Sequence, residues 1–251
     1  MNRRLKRIRL FSSLYAFLFC AHLSTSAASG FTIFPVRLEL SNERGVGAFT
    51  LTNDSDHSVT LDVRAMRWTQ ADGVDQLTDT RELLATPPIF TLAPGAAQIV
   101  RIGLRRAPDA NQELTYRLFV TEIPAKAPRA NSGVAMSLRL SVPVFVRPVV
   151  ATTAKIEWSG ERTSDGRLTL RARNTSAMHM QIADLRVQQR GVLVATHVEP
   201  TYLLGGQTRV IPLALQPGAD VTAGAIDVSG FSDAGNIHVE IGVAQASTTS
   251  P

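Results

Sequence analysis

The chain has 251 residues, 44% of them hydrophobic and 19% charged, with a formal net charge of +5 and one cysteine. Five basic groups and no acids fall within residues 1–28, so the chain beyond them is formally neutral. No basic stripe interleaved with aromatics is left to hold a nucleic acid, and with Cys20 in the same stretch no disulfide or cysteine cluster follows it.

In chain order, the first stretch carries Arg3, Arg4, Lys6, Arg7 and Arg9, an apolar run from about Leu10 to Leu23, then small Ser26, Ala27 and Ala28. That is the pattern of a secretory signal peptide, residues 1–28. The run is too short and wrongly flanked for a spanning helix, and bulky Phe19 before Cys20 argues against a lipidated cysteine. No later apolar stretch is long enough to cross a membrane, so a soluble, exported protein without membrane insertion is expected. The roughly 220 residues that remain can bury two cores of ordinary domain size without disulfides.

From Phe31 the pattern is short strands with turn chemistry between them: FTIFPVRLEL, GAFTLTN, a polar turn at Asp54 to His57, and VTLDVRAMRW. TPPIFTLAPG, AQIVRIGLR and LTYRLFVTEIP follow, punctuated by Pro87, Pro88, Pro94 and Gly95. VAMSLRLSVPVFV comes next. Its apolar residues Val134, Met136, Leu138, Leu140, Val142, Val144 and Val146 fall on one face of a strand. Pro143, which has no N–H for a neighbour, places this strand at a sheet edge. A long apolar edge is a template for another chain, and the ordinary alternative is a sandwich strand that closes a domain. After Arg147-Pro148, a second series of strands runs through KIEWS, RLTLRARNTS, MQIADLRVQQ, GVLVATHV, TRVIPLALQPG and NIHVEIGVA. The expectation is all-β: two Ig-like sandwiches over residues 29–148 and 149–251.

Nothing resembles a catalytic constellation: there is no nucleophile elbow, phosphate loop or His pair at metal-ligand spacing. The reading is a non-enzyme without cofactor or metal. His57, His179, His197 and His238 are scattered, which suits core or solvated roles. Met178-His179-Met180 offers soft ligands that suit copper, yet alternation sets the histidine on the face opposite the two methionines.

Together these blocks resemble the periplasmic pilus chaperones of Gram-negative chaperone–usher systems, most closely in PVRLEL, FTLTNDSDHSVTLDVRAMRW, TPPIFTLAPGAAQIVRI, YRLFVTEIP and VFVRP. The resemblance implies a boomerang of two Ig-like domains in the periplasm, with pilin subunits and an outer-membrane usher as partners. It implies donor-strand complementation, in which Val134, Met136, Leu138 and Leu140 enter the groove of an incomplete pilin. The short polar connection from Ala125 to Gly133 resembles the class that serves rod-like pili. The family's subunit carboxylate is held by an arginine, matched by Arg37, and by a lysine whose position here is Pro143. Arg117 is the substitute candidate and Arg139 a weaker one. Pro143 and the Tyr116-Arg117 pair look more like the divergent, archaic branch. The family's interdomain ionic cluster maps to Arg101, Glu122 and Asp233, and Trp68 reads as core. Whether the free protein caps its edge as a homodimer stays open. The competing reading is an exported tandem Ig-like module, an adhesin or copper carrier, without usher partners.

Overall fold

The computed structural model describes residues 30–124, 137–150, 152–163, 167–219 and 221–245. The predicted signal peptide, the Ala125–Gly133 connection and the donor positions Val134 and Met136 lie outside them. Every regular element among the described residues is a strand.

The first unit comprises β1 (Phe31–Phe34), β2 (Leu38–Leu40), β3 (Val46–Asn53), β4 (Val59–Ala71), β5 (Val74–Asp79), β6 (Leu83–Thr86), β7 (Ile89–Leu92), β8 (Ala97–Leu104), β9 (Leu114–Ile123) and β10 (Arg139–Val146). One sheet has the order β1-β3-β8-β6 and the other β2-β10-β9-β4-β5, with β7 also paired to β4. Alternation aims Phe49 and Leu51 of β3, Val100 and Ile102 of β8, Leu61 and Val63 of β4, and Leu118 and Val120 of β9 into one core between the sheets. FTIFPVRLEL, read as a single strand, is two. Pro35 interrupts it, and the chain leaves β3's sheet to run parallel to β10 in the other.

The second unit comprises β11 (Ile156–Arg162), β12 (Leu168–Asn174), β13 (Met180–Gln189), β14 (Val192–His197), β15 (Thr201–Leu203), β16 (Thr208–Pro212), β17 (Ala214–Leu215), β18 (Gly224–Ser232) and β19 (Gly235–Gln245). Its order is β16-β12-β11-β19-β18-β13-β14-β17, with β15 beside β13. Residues of β12, β13, β14 and β18 share one buried cluster, so the sheet folds over its own core. The molecule is thus all-β, with two Ig-like sandwiches.

Four strands were not anticipated: β5, β6, β15 and β18. β5 is exposed at every residue and has no apolar face to reveal it. The signal that could have found it is Asp72-Gly73, whose positive φ angles of 51° and 75° make the two-residue hairpin turn from β4. β18 carries only Ile226 and Val228 as its fully buried apolar pair, too brief an alternation to stand out from its glycines and serine.

The units also share a corner device that reading by strands overlooks. Asn53, in Asn-Asp-Ser-Asp-His, is fully buried. It donates to His57 O at 2.8 Å and Leu92 O at 3.2 Å, and accepts from Ser55 N and Oγ. Asn174, in Asn-Thr-Ser-Ala-Met, donates to Met178 O at 2.7 Å and Leu203 O at 3.1 Å, and accepts from Ser176 N and Oγ. Each amide ties a turn to a neighbouring strand by filling main-chain acceptors that water cannot reach. Asn53→Ala and Asn174→Ala are each expected to lower unfolding stability by about 2–3 kcal/mol, seen as a lower urea midpoint. An unchanged midpoint would show that the orphaned carbonyls find other donors.

Candidate functional site

β10 bonds to β9 along its whole length, from Arg139↔Thr121 to Val146↔Leu114, but to β2 only from Val144 to Val146. Glu122 N donates to Leu138 O, so in the antiparallel ladder the even-numbered residues of β10 exchange bonds with β9. The odd-numbered residues turn their main-chain groups outward. Arg147 N, donating to Leu40 O of β2, agrees with that parity. Pro143 therefore costs β9 nothing. Arg139 and Ser141 present N–H and C=O groups to an edge that no described strand occupies.

The apolar face behaves as the alternation demands. Val142, Val144 and Val146 are buried in the first core, and Leu140, partly buried, packs against it. Leu138 continues the same face where the sandwich ends, also partly buried. Glu122 steadies this exit, its carboxylate accepting from Leu138 N and its carbonyl from Ser137 Oγ. Arg139 lies over the Phe119 ring, with Cζ 3.8 Å from the centroid.

Pro143 stands in a row with two arginines. Its β9 partner is Arg117, and the parallel register of Leu38 with Val144 sets Arg37 on its other side. Both cations already have partners. Arg37 reaches Asp233 Oδ2 at 3.2 Å and Glu39 Oε1 at 3.3 Å, while Arg147 takes the other oxygen of Glu39. Arg117 lies over Trp68, with Cζ 3.8 Å from the ring centroid, and 5.3 Å from the centroid of Tyr202. Burial pushes the Arg117 pKa down, against the opposing charge of Asp75, but a guanidinium stays protonated at neutral pH.

The same outer face of β4, β9 and β10 meets the second unit. Trp68, Phe145 and Leu204 form a buried cluster with Tyr202 packed on it, so Trp68 is core to the seam between the units and not to either sandwich. The Trp68 and Tyr202 rings meet edge to face at 5.4 Å. Gln70 spans the seam, accepting from Leu204 N at 2.9 Å and donating to Tyr202 O at 3.0 Å. Arg209 pairs with Asp75 of β5 at 3.3 Å, so the unanticipated hairpin is also bound to the second unit.

His179 sits at the centre of this seam, stacked on Phe145 with centroids 3.3 Å apart and planes 5° from parallel. Its main-chain N–H and its Nδ1 both meet Glu113 Oε2, at 2.7 and 2.8 Å. Its Nε2 lies 3.4 Å from Asp233 Oδ2, within ion-pair reach though off hydrogen-bond geometry. Glu113 N in turn donates to Ala177 O. The ionic cluster between the units is therefore Glu113–His179–Asp233–Arg37–Glu39–Arg147. Of the three residues expected there, Asp233 alone belongs to it. Arg101 is exposed on β8, opposite Ala48 and Thr86, and Glu122 is occupied with the start of β10. Sequence reading missed His179 and Glu113: alternation turned the histidine away from Met180 but could not say toward what.

The family described as "Pili and flagellar-assembly chaperone, PapD N-terminal domain" matches residues 30–151. The chaperone protein PapD of Escherichia coli is 28% identical over 112 residues, 39% of this chain, and the match spans 46% of PapD's own length. Among solved structures, a chain of the CsuC–CsuE chaperone–tip adhesion subunit pre-assembly complex from archaic Csu pili of Acinetobacter baumannii is similar. Its TM-score is 0.62 at 19% identity, over 86% of this chain and 99% of its own. The YadV chaperone gives 0.61 at 14% identity, over 84% and 98%. A chain of the Salmonella enterica SafA pilin–SafB chaperone complex gives 0.60 at 16%, over 85% and 97%. At these identities the likeness is one of fold.

The seam is also an electrostatic device. Burial favours a neutral His179 ring, but the close carboxylate of Asp233 and the hydrogen-bonded carboxylate of Glu113 together outweigh it and hold its pKa above the ordinary imidazole value. Burial likewise works against ionised Asp233, yet His179, Gln181 N and Arg37 hold its pKa below the usual carboxylate range. A raised histidine pKa contributes stability that is complete below about pH 6.5 and is lost as pH climbs through the raised value. A lowered aspartate contributes stability present above about pH 3.9 and lost on acidification through the lowered value. The seam is strongest between the two. His179→Gln is expected to cost on the order of 2 kcal/mol near pH 6, and less as pH rises past the histidine's titration. Parallel urea titrations of both proteins read this, and a difference independent of pH would overturn it.

Proposed function

We propose that this chain, whose residues 30–151 match the pilus-assembly chaperone family, is a periplasmic chaperone that captures pilin subunits on the open edge of β10 and passes them to an outer-membrane usher. The observation that carries this reading is the edge itself. Arg139 and Ser141 offer main-chain donors and acceptors, and Leu138 and Leu140 prolong a face that is otherwise buried in the chaperone's own core. A strand added by a partner satisfies both at once, and in the sequence Val134 and Met136 keep the same apolar alternation upstream. The partner's own sandwich completes its core with side chains it lacks, so binding and folding become one event. No chemical step is needed.

The row Arg37–Pro143–Arg117 supports a contact for the subunit's terminal carboxylate at the downstream end of the edge. Guanidinium groups suit a carboxylate because they offer two parallel donors, and two arginines replace the family's arginine and lysine. The proline and the neighbouring arginine fit the archaic branch, to which the Csu relative belongs. The CsuC–CsuE and SafA–SafB complexes pair a chaperone with a tip adhesion subunit and a pilin, and the same class of partner fits here. For the free protein, a second copy is the alternative cover for the edge.

Purification of the tagged chain from the periplasm of its native host is expected to yield a small β-rich subunit in equal amount, identified by mass spectrometry. Leu138→Arg leaves the chaperone folded but lowers capture by about 100-fold or more, because an unpaired guanidinium cannot enter an apolar groove. Undiminished capture by that variant would remove the donor-strand role.

A further inference from the structure

Both terminal nitrogens of Arg37 already face a carboxylate, one Asp233 and the other Glu39, so a new carboxylate would share the guanidinium with them. The added negative charge weakens the hold of Arg37 on one of these partners. Glu39 keeps Arg147 as an alternative cation, whereas Asp233 has only His179 Nε2 at 3.4 Å and, on its other oxygen, Gln181 N at 3.0 Å. How readily Asp233 releases Arg37 therefore depends on whether His179 is charged.

We propose that Asp233 and His179, both in the second domain, are positioning residues that set how tightly Arg37 holds a subunit's terminal carboxylate, an inference that rests on the chaperone reading. The groups facing His179 are Glu113 and Asp233 as charges, Phe145 as a stacked ring and Tyr202 with its ring centroid 6.1 Å away. Those facing Arg37 are Asp233, Glu39 and Tyr202, and burial holds Tyr202 in its neutral form. The side chains of His179 and Glu113 are only 6% and 1% exposed, so their interactions are little screened. An arriving carboxylate draws Arg37 away from Asp233 and adds one negative charge. A proton on His179 supplies one positive charge and gives Asp233 a second partner. The two events favour each other and, since binding linkage is reciprocal, capture takes up a proton and tightens as pH falls through the titration of His179. Because Arg37 leads into the first domain's β2 and Asp233 and His179 belong to the second, the carboxylate also reports to the seam that joins them.

The test uses the whole mature chain and a lysine-tagged peptide of alternating valine and serine ending in a free carboxylate, beside the same peptide as its C-terminal amide. Calorimetry from about pH 5.5 to 8.5, in buffers of different ionisation heat, gives affinity and proton uptake, while imidazole NMR follows His179 with and without peptide. The free-carboxylate peptide is expected to bind about 10-fold more tightly at the acid end, with proton uptake and an upward shift of the His179 titration on binding. In His179→Gln the preference for carboxylate over amide persists and its pH dependence disappears. In Asp233→Asn affinity rises and the profile flattens. If either variant fails to fold, the NMR titration of the unaltered chain decides. A carboxylate preference with an unmoved His179 titration overturns the inference alone. No preference for carboxylate over amide overturns the Arg37 anchor, and the inference with it.

Discussion

The main-chain parity of β10 is the constraint on which the molecule's other features depend. Even-numbered residues spend their hydrogen bonds on β9 and their side chains on the first core, as Val142, Val144 and Val146 do. Odd-numbered residues turn their main chain away from β9 and their side chains to the outer face of the sheet, which is why Phe145 can be fully buried against His179, Trp68 and Tyr202. A slip of one residue would exchange the two sets, exposing valines and burying Arg139 and Ser141. Pro143 is compatible with this arrangement only because its missing N–H belongs to the open side.

The seam illustrates what buried charge can accomplish. A histidine and a glutamate removed from water lose hydration that pairing in the interior only partly returns, so the cluster is poor support for a large net stabilisation. Its value lies in direction. Stacked rings slide at little cost, whereas Glu113 grips both the main chain and the ring of His179, and Gln70 bonds a donor and an acceptor of β15 and the residue after it. Such two-point contacts define a relative orientation that apolar packing alone would leave loose. Because the charged chain runs through Arg37, that orientation and the candidate carboxylate contact share one set of residues.

Much of the fold was legible because β-sandwich strands announce themselves by period two, and most strands carry at least two buried residues on alternate positions. Where that signal was absent, reading failed: β5 has no buried residue, and the paired Asn-x-Ser corners act through single amides that no hydrophobic pattern marks. The candidate edge was legible for the same reason as the fold, its apolar alternation together with a proline. The charged seam was legible only at Asp233, through the family resemblance, because the contacts of Glu113, His179 and Asp233 join residues far apart in the chain and nothing local to either acid distinguishes it from an ordinary surface acid.

The sequence by itself determined the all-β class and the face that β10 buries, since alternation and the missing proline N–H are properties of the local chain. Only the tertiary structure decided that β2 covers three residues of β10 and leaves the rest open, that Trp68 belongs to the seam, and that His179 with Glu113 stands where Arg101 and Glu122 were expected. Those outcomes depend on where the second sandwich comes to rest against the first, which is set by contacts across more than a hundred residues of chain, Gln70 with Leu204 and Arg37 with Asp233 among them.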